Sequence, residues 1–87
     1  MTDPSARPTV QIHLFAAAAA ALGTDRTDVE AATVAEAITA LGERTDDEGR
    51  RVLARSSVLV NAVACPDHTR ALADGDRVDV LPPFAGG

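Results

Sequence analysis

The feature that most constrains the fold is a single amphipathic helix lying between segments with strand patterns. Thr33 and Glu36 form a capping box, in which the hydroxyl and the carboxylate can each satisfy a free backbone N–H. Behind this cap, apolar residues recur with the spacing of one helix face, at Val34, Ala37, Ile38 and Leu41. Because a helix with one apolar face must pack against another element, the rest of the chain has to supply a covering layer.

Alternating apolar and polar residues predict the strands of that layer. Residues 9–15 place Val10, Ile12 and Leu14 on one face, and Gln11, His13 and Phe15 on the other. Residues 77–81 alternate in the same way. Shorter strands are predicted at 58–60 and 63–64 around a tight turn, and a weak edge strand at 26–30.

The remaining segments predict helices, loops and turns. Six consecutive alanines at 16–21, followed by Leu22 and Gly23, favour a short helix that ends at the glycine. The charged segment 45–57 fits either a loop or a second short helix. A loop is expected at 65–70, and Asp74-Gly75-Asp76 is typical of a turn. The element order predicts an α+β domain with one main helix on a sheet.

Length and charge limit what such a domain can bind. With 87 residues the chain is one small domain, predicted to comprise a loose arm at 1–8, a folded part at 9–81 and a tail at 82–87. Its net charge of −5 makes a nucleic-acid partner improbable and favours a basic protein surface. The longest apolar run, nine residues at 14–22, is too short to span a membrane, so we expect a cytoplasmic, unprocessed chain.

The isolated reactive side chains form no catalytic or metal-ligand pattern. The single Cys65 excludes an internal disulfide, and a structural thiol is favoured over a persulfide relay. His13 and His68 are interpreted as solvated surface groups rather than a metal or catalytic pair. Asp74 and Asp76 flank a glycine and are interpreted as turn residues rather than a cation site. We therefore expect neither a bound metal nor a bound cofactor.

The C-terminal segment Pro82-Pro83-Phe84-Ala85-Gly86-Gly87 carries the most information about function. Two prolines remove backbone donors and hold the chain extended as it leaves the last strand. Six extended residues reach roughly 20 Å. Glycines without side chains can enter a channel too narrow for other residues. The segment therefore suits the presentation of a terminal carboxylate to another protein's active site.

The residues from Asp74 to Gly87 resemble the end of the β-grasp, ubiquitin-like sulfur carriers of the MoaD/ThiS family, and most resemble its MoaD branch. Leu14-Phe15-Ala16 with the helix behind it resembles the start of the same family, and Val60-Asn61 resembles its turn before the last strands. The resemblance spans residues 10–87. It departs in the first helix, where family members often carry charged residues and this chain has alanines.

This resemblance implies a sulfur carrier without catalytic residues of its own. An E1-like adenylyltransferase of the MoeB/ThiF type would use ATP to adenylate the carboxylate of Gly87, with Gly86 beside it, and sulfur would then replace the adenylate to leave a thiocarboxylate. The tail would enter the large, MoaE-type subunit of molybdopterin synthase and donate sulfur for the molybdenum cofactor.

The partner surface is predicted from strand phase together with this resemblance. Phe15 and Leu81 fall on the outward phase of their strands, and in a β-grasp sheet those strands are neighbours. Two apolar side chains beside a functional tail indicate a docking patch. The tail residues expected to contact the partner are Pro82, Pro83, Phe84 and Ala85, although Phe84 could instead fold back on its own sheet.

Two alternatives remain open at this point. The same carrier chemistry could serve thiamine thiazole, cysteine or a sulfur-containing secondary metabolite, although the Pro-Pro pair favours the molybdopterin role. The chain could instead be a ubiquitin-like protein modifier. Because it contains no lysine, it cannot form lysine-linked chains with itself.

Overall fold

The computed structural model describes residues 7–83; residues 1–6 and 84–87 lie outside the described part. It contains five strands and three helices, which confirms an α+β domain. In chain order the elements are β1 (Thr9–Leu14), α1 (Ala16–Leu22), β2 (Arg26–Glu30), α2 (Val34–Gly42), α3 (Asp47–Arg55), β3 (Ser57–Val60), β4 (Val63–Ala64) and β5 (Arg77–Leu81).

The five strands form one mixed sheet in the order β2-β1-β5-β3-β4. The first and last strands of the chain lie side by side and run parallel, with Ile12 opposite Val78. The other neighbouring strands are antiparallel. This arrangement is the predicted β-grasp sheet, and it places the strand that leads into the tail at the centre.

The core lies between the inner face of the sheet and the helices, and it is aliphatic. The fully buried large side chains are Val10, Ile12, Leu14, Val34, Leu41, Val60, Val78 and Val80. The alternation in β1 is reproduced, since Val10, Ile12 and Leu14 are buried while Gln11 is exposed. The chain's scarcity of aromatic residues therefore does not prevent a closed core, because branched aliphatic side chains fill it.

Helix α2 begins at the predicted cap. The backbone N–H of Glu36 donates to Oγ1 of Thr33 at 3.2 Å. Glu36 returns a bond through Oε1, which accepts from the N–H of Ala32 at 2.8 Å, one residue before the position expected for a capping box. The same oxygen pairs with Nε of Arg7 at 3.0 Å. The cap therefore also ties residue 7 to the domain, and the carbonyl of Pro8 accepts from the N–H of Ala31 at 2.9 Å. The end of the predicted loose arm at 1–8 is thus bonded to the fold, while residues 1–6 of that arm lie outside the described residues.

The charged segment 45–57, for which the sequence fits either a loop or a helix, forms helix α3. Asp46 caps it by accepting from the N–H of Gly49 at 2.9 Å, and Leu53 packs into the core. Gly49 is required by close packing, because a Cβ there would lie 1.9 Å from Oγ1 of Thr45. That hydroxyl donates to the carbonyl of Ala21 at 3.1 Å, which connects the start of α3 to the end of α1.

A polar network fastens the start of β5 to the β3–β4 turn. Asn61 and Ala62 have φ values of 49° and 70°, which confirms the tight turn predicted there. Nδ2 of Asn61 donates to Asp76 at 3.1 Å, and Oδ1 of Asn61 accepts from the N–H of Arg77 at 3.0 Å. Asp76 also accepts from the N–H of Ala73 at 2.8 Å. The central strand is therefore fixed at the end opposite the tail.

Candidate functional site

The tail leaves the sheet from its central strand. Strand β5 ends at Leu81, Pro82 is buried and Pro83 is exposed. The predicted reactive residues Gly86 and Gly87 lie outside the described residues, as do the predicted contact residues Phe84 and Ala85. Pro82 therefore anchors the point of departure on the fold, and Pro83 is the last residue whose position is described.

Phe15 and Leu81 lie at the ends of two neighbouring interior strands, where the tail leaves the sheet. The N–H of Phe15 donates at 3.2 Å to the carbonyl of Val80, the residue directly before Leu81, which continues the parallel pairing of β1 and β5 by one residue. Strand β1 ends at Leu14, one residue earlier than predicted, so Phe15 follows it directly. Phe15 is 37% exposed, and Leu81 is half-buried. The structure thus brings the two predicted patch residues together, while their docking role stays a prediction.

Leu59 is an apolar residue of the outer sheet face that the sequence analysis did not single out. It is half-buried on β3, and it pairs across the sheet with Asp79, one pleat before Leu81. The signal was present in the sequence, because in a strand over 58–60 the middle residue faces away from its two buried neighbours. Phe15, Leu81 and Leu59 are called the apolar patch from here on.

Asp79 and Arg77 form an ion pair on the same outer face, and the sequence analysis missed it. Asp79 is only 7% exposed. Nε of Arg77 donates to its Oδ1 at 2.7 Å, and Nη2 donates to its Oδ2 at 3.4 Å. Residues two apart in a strand share a face, so the pairing was readable from the spacing, but the burial of the carboxylate was not.

His13 differs from its interpretation as a solvated surface group. It is half-buried on the outer face of β1, opposite Asp79 on β5, and its Nε2 is buried with no hydrogen-bond partner among residues 7–83. His68 is exposed, as predicted, in the loop after β4, where its carbonyl accepts from the N–H of Ala35 on α2. The two histidines lie on opposite sides of the sheet, so they form no pair.

Cys65 is a buried thiol held by the backbone. Its N–H donates to the carbonyl of Val58 at 2.8 Å, and its Sγ donates to the carbonyl of Asp67 at 3.3 Å. Asp67 itself accepts from the side chain and the N–H of Thr69, and these bonds lower the pKa of its carboxyl. The surroundings of Cys65 fit the structural interpretation.

Asp74 and Asp76 act as turn residues, as predicted. Asp74 accepts from the N–H of Thr9 at 2.7 Å. The pKa of the Asp76 carboxyl is lowered, first by the bond from the N–H of Ala73 and then by the bond from Asn61. Within residues 7–83, no three histidine, cysteine or acidic side chains cluster in a way that could hold a metal ion. In the same part of the chain, no helix has the length and apolar character needed to cross a membrane.

Comparisons with known proteins agree with this geometry. The chain superimposes on the crystal structure of SAMP1 from Haloferax volcanii with a TM-score of 0.77 at 29% identity, covering 91% of this chain and 99% of that one. A molybdopterin converting factor subunit 1 from Pyrococcus furiosus gives a TM-score of 0.77 at 24% identity, over 88% and 99% of the two chains.

A third solved structure is a complex of subunits 1 and 2 of the molybdopterin-converting factor from Helicobacter pylori. It gives a TM-score of 0.68 at 22% identity, covering 91% of this chain and 99% of that one. At this identity and at that of the Pyrococcus protein, the likeness concerns the fold alone. A search of curated protein sequences finds no match. The ThiS family, however, matches residues 12–87, which include both the sheet and the Gly-Gly tail, and the chain therefore belongs to the ThiS family.

Proposed function

We propose that this protein is a sulfur carrier that holds sulfur as a thiocarboxylate on Gly87 and serves as the small subunit of molybdopterin synthase. The observation that carries the proposal is the departure of the tail from the central strand, directly beside the apolar patch. A partner that covers Phe15 and Leu81 is thereby positioned to receive the following residues. Membership of the ThiS family supports the same function, since its members are small carrier proteins.

The proposed chemistry takes place on the carboxylate of Gly87. A carboxylate oxygen attacks the α-phosphorus of ATP, pyrophosphate leaves, and an acyl-adenylate forms. Sulfide, or a donor that delivers sulfur at the same oxidation level, then attacks the acyl carbon and AMP leaves. In the synthase, the thiocarboxylate sulfur bonds to a carbon of the pyranopterin while a carbon–oxygen bond at that carbon breaks and the oxygen leaves with the electron pair. Water then cleaves the acyl–sulfur bond, which leaves the sulfur on the pyranopterin and regenerates the carboxylate. Residues 86 and 87 carry no side chains that would obstruct these steps.

Two protein partners follow from this chemistry. An E1-like adenylyltransferase of the MoeB/ThiF type supplies the ATP-dependent step, and a MoaE-type large subunit supplies the active site for sulfur transfer. The Helicobacter pylori structure is a complex of two such converting-factor subunits, which supports a partner of the second kind. In the proposal, Pro82, Pro83, Phe84 and Ala85 line the partner's groove. The carrier itself needs no bound cofactor, and we place it in the cytoplasm, where ATP-dependent activation occurs.

Intact-mass measurement tests the carrier chemistry. The full chain is incubated with the adenylyltransferase of the same organism, ATP and a sulfur donor, and we expect the mass increase of one oxygen-to-sulfur exchange. A variant that lacks Gly87 should keep its thermal stability, because the last strand ends six residues earlier, and should show no exchange. An unchanged mass of the full chain would contradict the proposal.

Reconstitution then tests the acceptor. The thiocarboxylated protein, mixed with the large synthase subunit and the pyranopterin substrate, should yield molybdopterin. If the sulfur exchange occurs but no molybdopterin forms, the carrier serves another acceptor, such as thiamine thiazole, cysteine or a secondary metabolite.

A second candidate function is protein modification. It is favoured by the likeness at 27–29% identity to a protein described as small archaeal modifier protein 1. In that case the activated carboxylate of Gly87 would form an isopeptide bond with a lysine of another protein. Peptide mass spectrometry of cells producing the tagged chain would detect its C-terminal remnant on target lysines, and a Gly87-deleted chain is the control.

A further inference from the structure

The polar part of the outer sheet face is not used by the proposed sulfur chemistry. Asp79 is buried there, and a carboxylate removed from water is unfavourable unless it is paired and hydrogen-bonded. Arg77 provides that pairing through Nε at 2.7 Å and, more weakly, through Nη2 at 3.4 Å. Both residues lie on the central strand, which continues into the apolar patch.

An approaching protein meets the guanidinium of this pair rather than its carboxylate. The side chain of Asp79 is 10% exposed, whereas that of Arg77 is 49% exposed. Asp79 uses one edge of the planar guanidinium, and further N–H donors remain on Nη1 and Nη2. A carboxylate is the group that accepts two parallel hydrogen bonds from such a fork. Since Asp79 already restrains Arg77, little side-chain freedom is left to be lost on binding.

His13 adds a second hydrogen-bonding group at the same place. It lies opposite Asp79 in the parallel pairing of β1 and β5, and its Nε2 is buried without a partner in the described part of the chain. Such an atom is unusual in a folded protein and calls for a structural or functional explanation. The ring is half-buried on the face that the partner would cover, so it borders the place where an acceptor would reach Arg77.

We propose that Arg77, positioned by Asp79 and flanked by His13, selects the docking partner by binding a carboxylate on the partner protein's surface. The inference rests on the proposed function, because it takes the outer sheet face as the docking surface. It adds that a carboxylate of the partner must face Arg77 and Asp79. The apolar patch contributes contact area, whereas this cluster requires one acidic residue at a fixed place. A basic partner that lacks this carboxylate would be attracted by the net charge of −5 but would leave the N–H donors of Arg77 that Asp79 does not use without an acceptor.

The charged side chains on the neighbouring strand β2 leave Arg77 as the place where a partner's carboxylate can bind. On the outer face of β2, Arg26 lies opposite His13, and Asp28 lies opposite Gln11. Arg26 therefore adds positive charge beside His13, whereas the exposed carboxylate of Asp28 lies in the same cross-strand row as Arg77, separated from it by Gln11. A carboxylate arriving over β5 reaches Arg77 at the centre of the sheet, two strands from Asp28.

Calorimetric titration of the full chain with the large synthase subunit of the same organism tests the proposal. The variant R77Q/D79N removes both charges together, so that no buried carboxylate is left unpaired, and its melting temperature verifies that it folds. We expect it to bind about tenfold more weakly, equivalent to ~1.4 kcal/mol, with a smaller loss of affinity as salt is added. R77K/D79N, which keeps a positive charge without the fork, should recover only part of the affinity.

Two further variants complete the design. Arg55→Gln removes an exposed arginine from the end of α3, on the other side of the sheet, and should bind like the wild type. His13→Leu should lower the affinity without lowering the melting temperature, because it removes a buried nitrogen that has no partner. Wild-type binding that is unchanged in R77Q/D79N would overturn this inference alone. No binding by the wild-type chain would contradict the proposed function and this inference together.

Discussion

The two faces of the central sheet use the same strands for different purposes. The inner face of β1 and β5 consists of fully buried aliphatic side chains, such as Ile12 and Val78. The outer face of those strands carries Phe15 and Leu81 near the tail and an ion pair farther back. Because alternate residues point to opposite faces, a core residue and a residue of the proposed docking surface are immediate neighbours in the sequence.

The largest expected effect lies on the inner face. Ile12→Ala removes a fully buried side chain from the core, and we expect it to lower the free energy of unfolding by about 2–5 kcal/mol, since the cavity left behind cannot close completely. Urea denaturation measures this loss. A loss below about 1 kcal/mol would mean that the inner face is not the main source of stability.

A smaller loss of stability is expected from the packing of the helices on that inner face. Gly49→Ala places a Cβ against Thr45, and we expect a loss of about 1–3 kcal/mol. The matched control is Gly42→Ala, whose Cβ would lie 3.3 Å from the flexible Arg50 side chain. Thr45→Ala combined with Gly49→Ala should recover part of the loss, because it removes the clashing hydroxyl and methyl groups. Equal melting temperatures for the two single glycine variants would contradict this explanation.

The outer face should show the reverse balance between stability and binding. Phe15→Ala or Leu81→Ala is expected to weaken binding to the large synthase subunit by ~1–2 kcal/mol, while the unfolding free energy falls by less than about 1 kcal/mol. Paired calorimetric titrations and urea denaturation compare the two quantities for each variant. Equal losses of binding and stability would show that these side chains belong to the core.

The smallest expected effect concerns the polar network that fixes the start of β5. Hydrogen bonds lower the pKa of Asp76 below its ordinary value of 3.8 in the folded state. Its contribution to stability is therefore fully present above the unfolded pKa, and it is lost as the pH falls through the lower, folded pKa. Asp76→Asn should flatten the dependence of the unfolding free energy on pH below about 4. Parallel pH profiles for wild type and variant would contradict this role.

Much of the fold was predictable because its signals are local. The capping box at Thr33 and the strand alternation of residues 9–15 depend on neighbours in sequence, and the structure confirms both. Helix α3 could not be distinguished from a loop, because its segment is rich in charged residues and part of its support comes from outside the segment. The Asp46 cap is local to the helix. In contrast, the bond from Oγ1 of Thr45 to the carbonyl of Ala21 and the burial of Leu53 exist only when α3 is packed on the rest of the domain.

The candidate site was predictable in part, for a related reason. Strand phase placed Phe15 and Leu81 on one face, but the resemblance was needed to make their strands neighbours. The interpretation of His13 as solvated was wrong because the burial of a side chain on an open sheet face depends on the strands beside it, which alternation does not report. The burial of Asp79 was not predicted for the same reason, because a strand pattern alone does not distinguish a solvated carboxylate from a buried one.

The parallel pairing of β1 with β5 has a consequence for how the protein assembles. The centre of the sheet joins segments from opposite ends of the described chain, with Gln11 paired to Arg77. Pairings so distant in sequence close large loops and form late in folding. A nascent chain on the ribosome therefore lacks the middle of its sheet until β5 has been synthesised and has emerged.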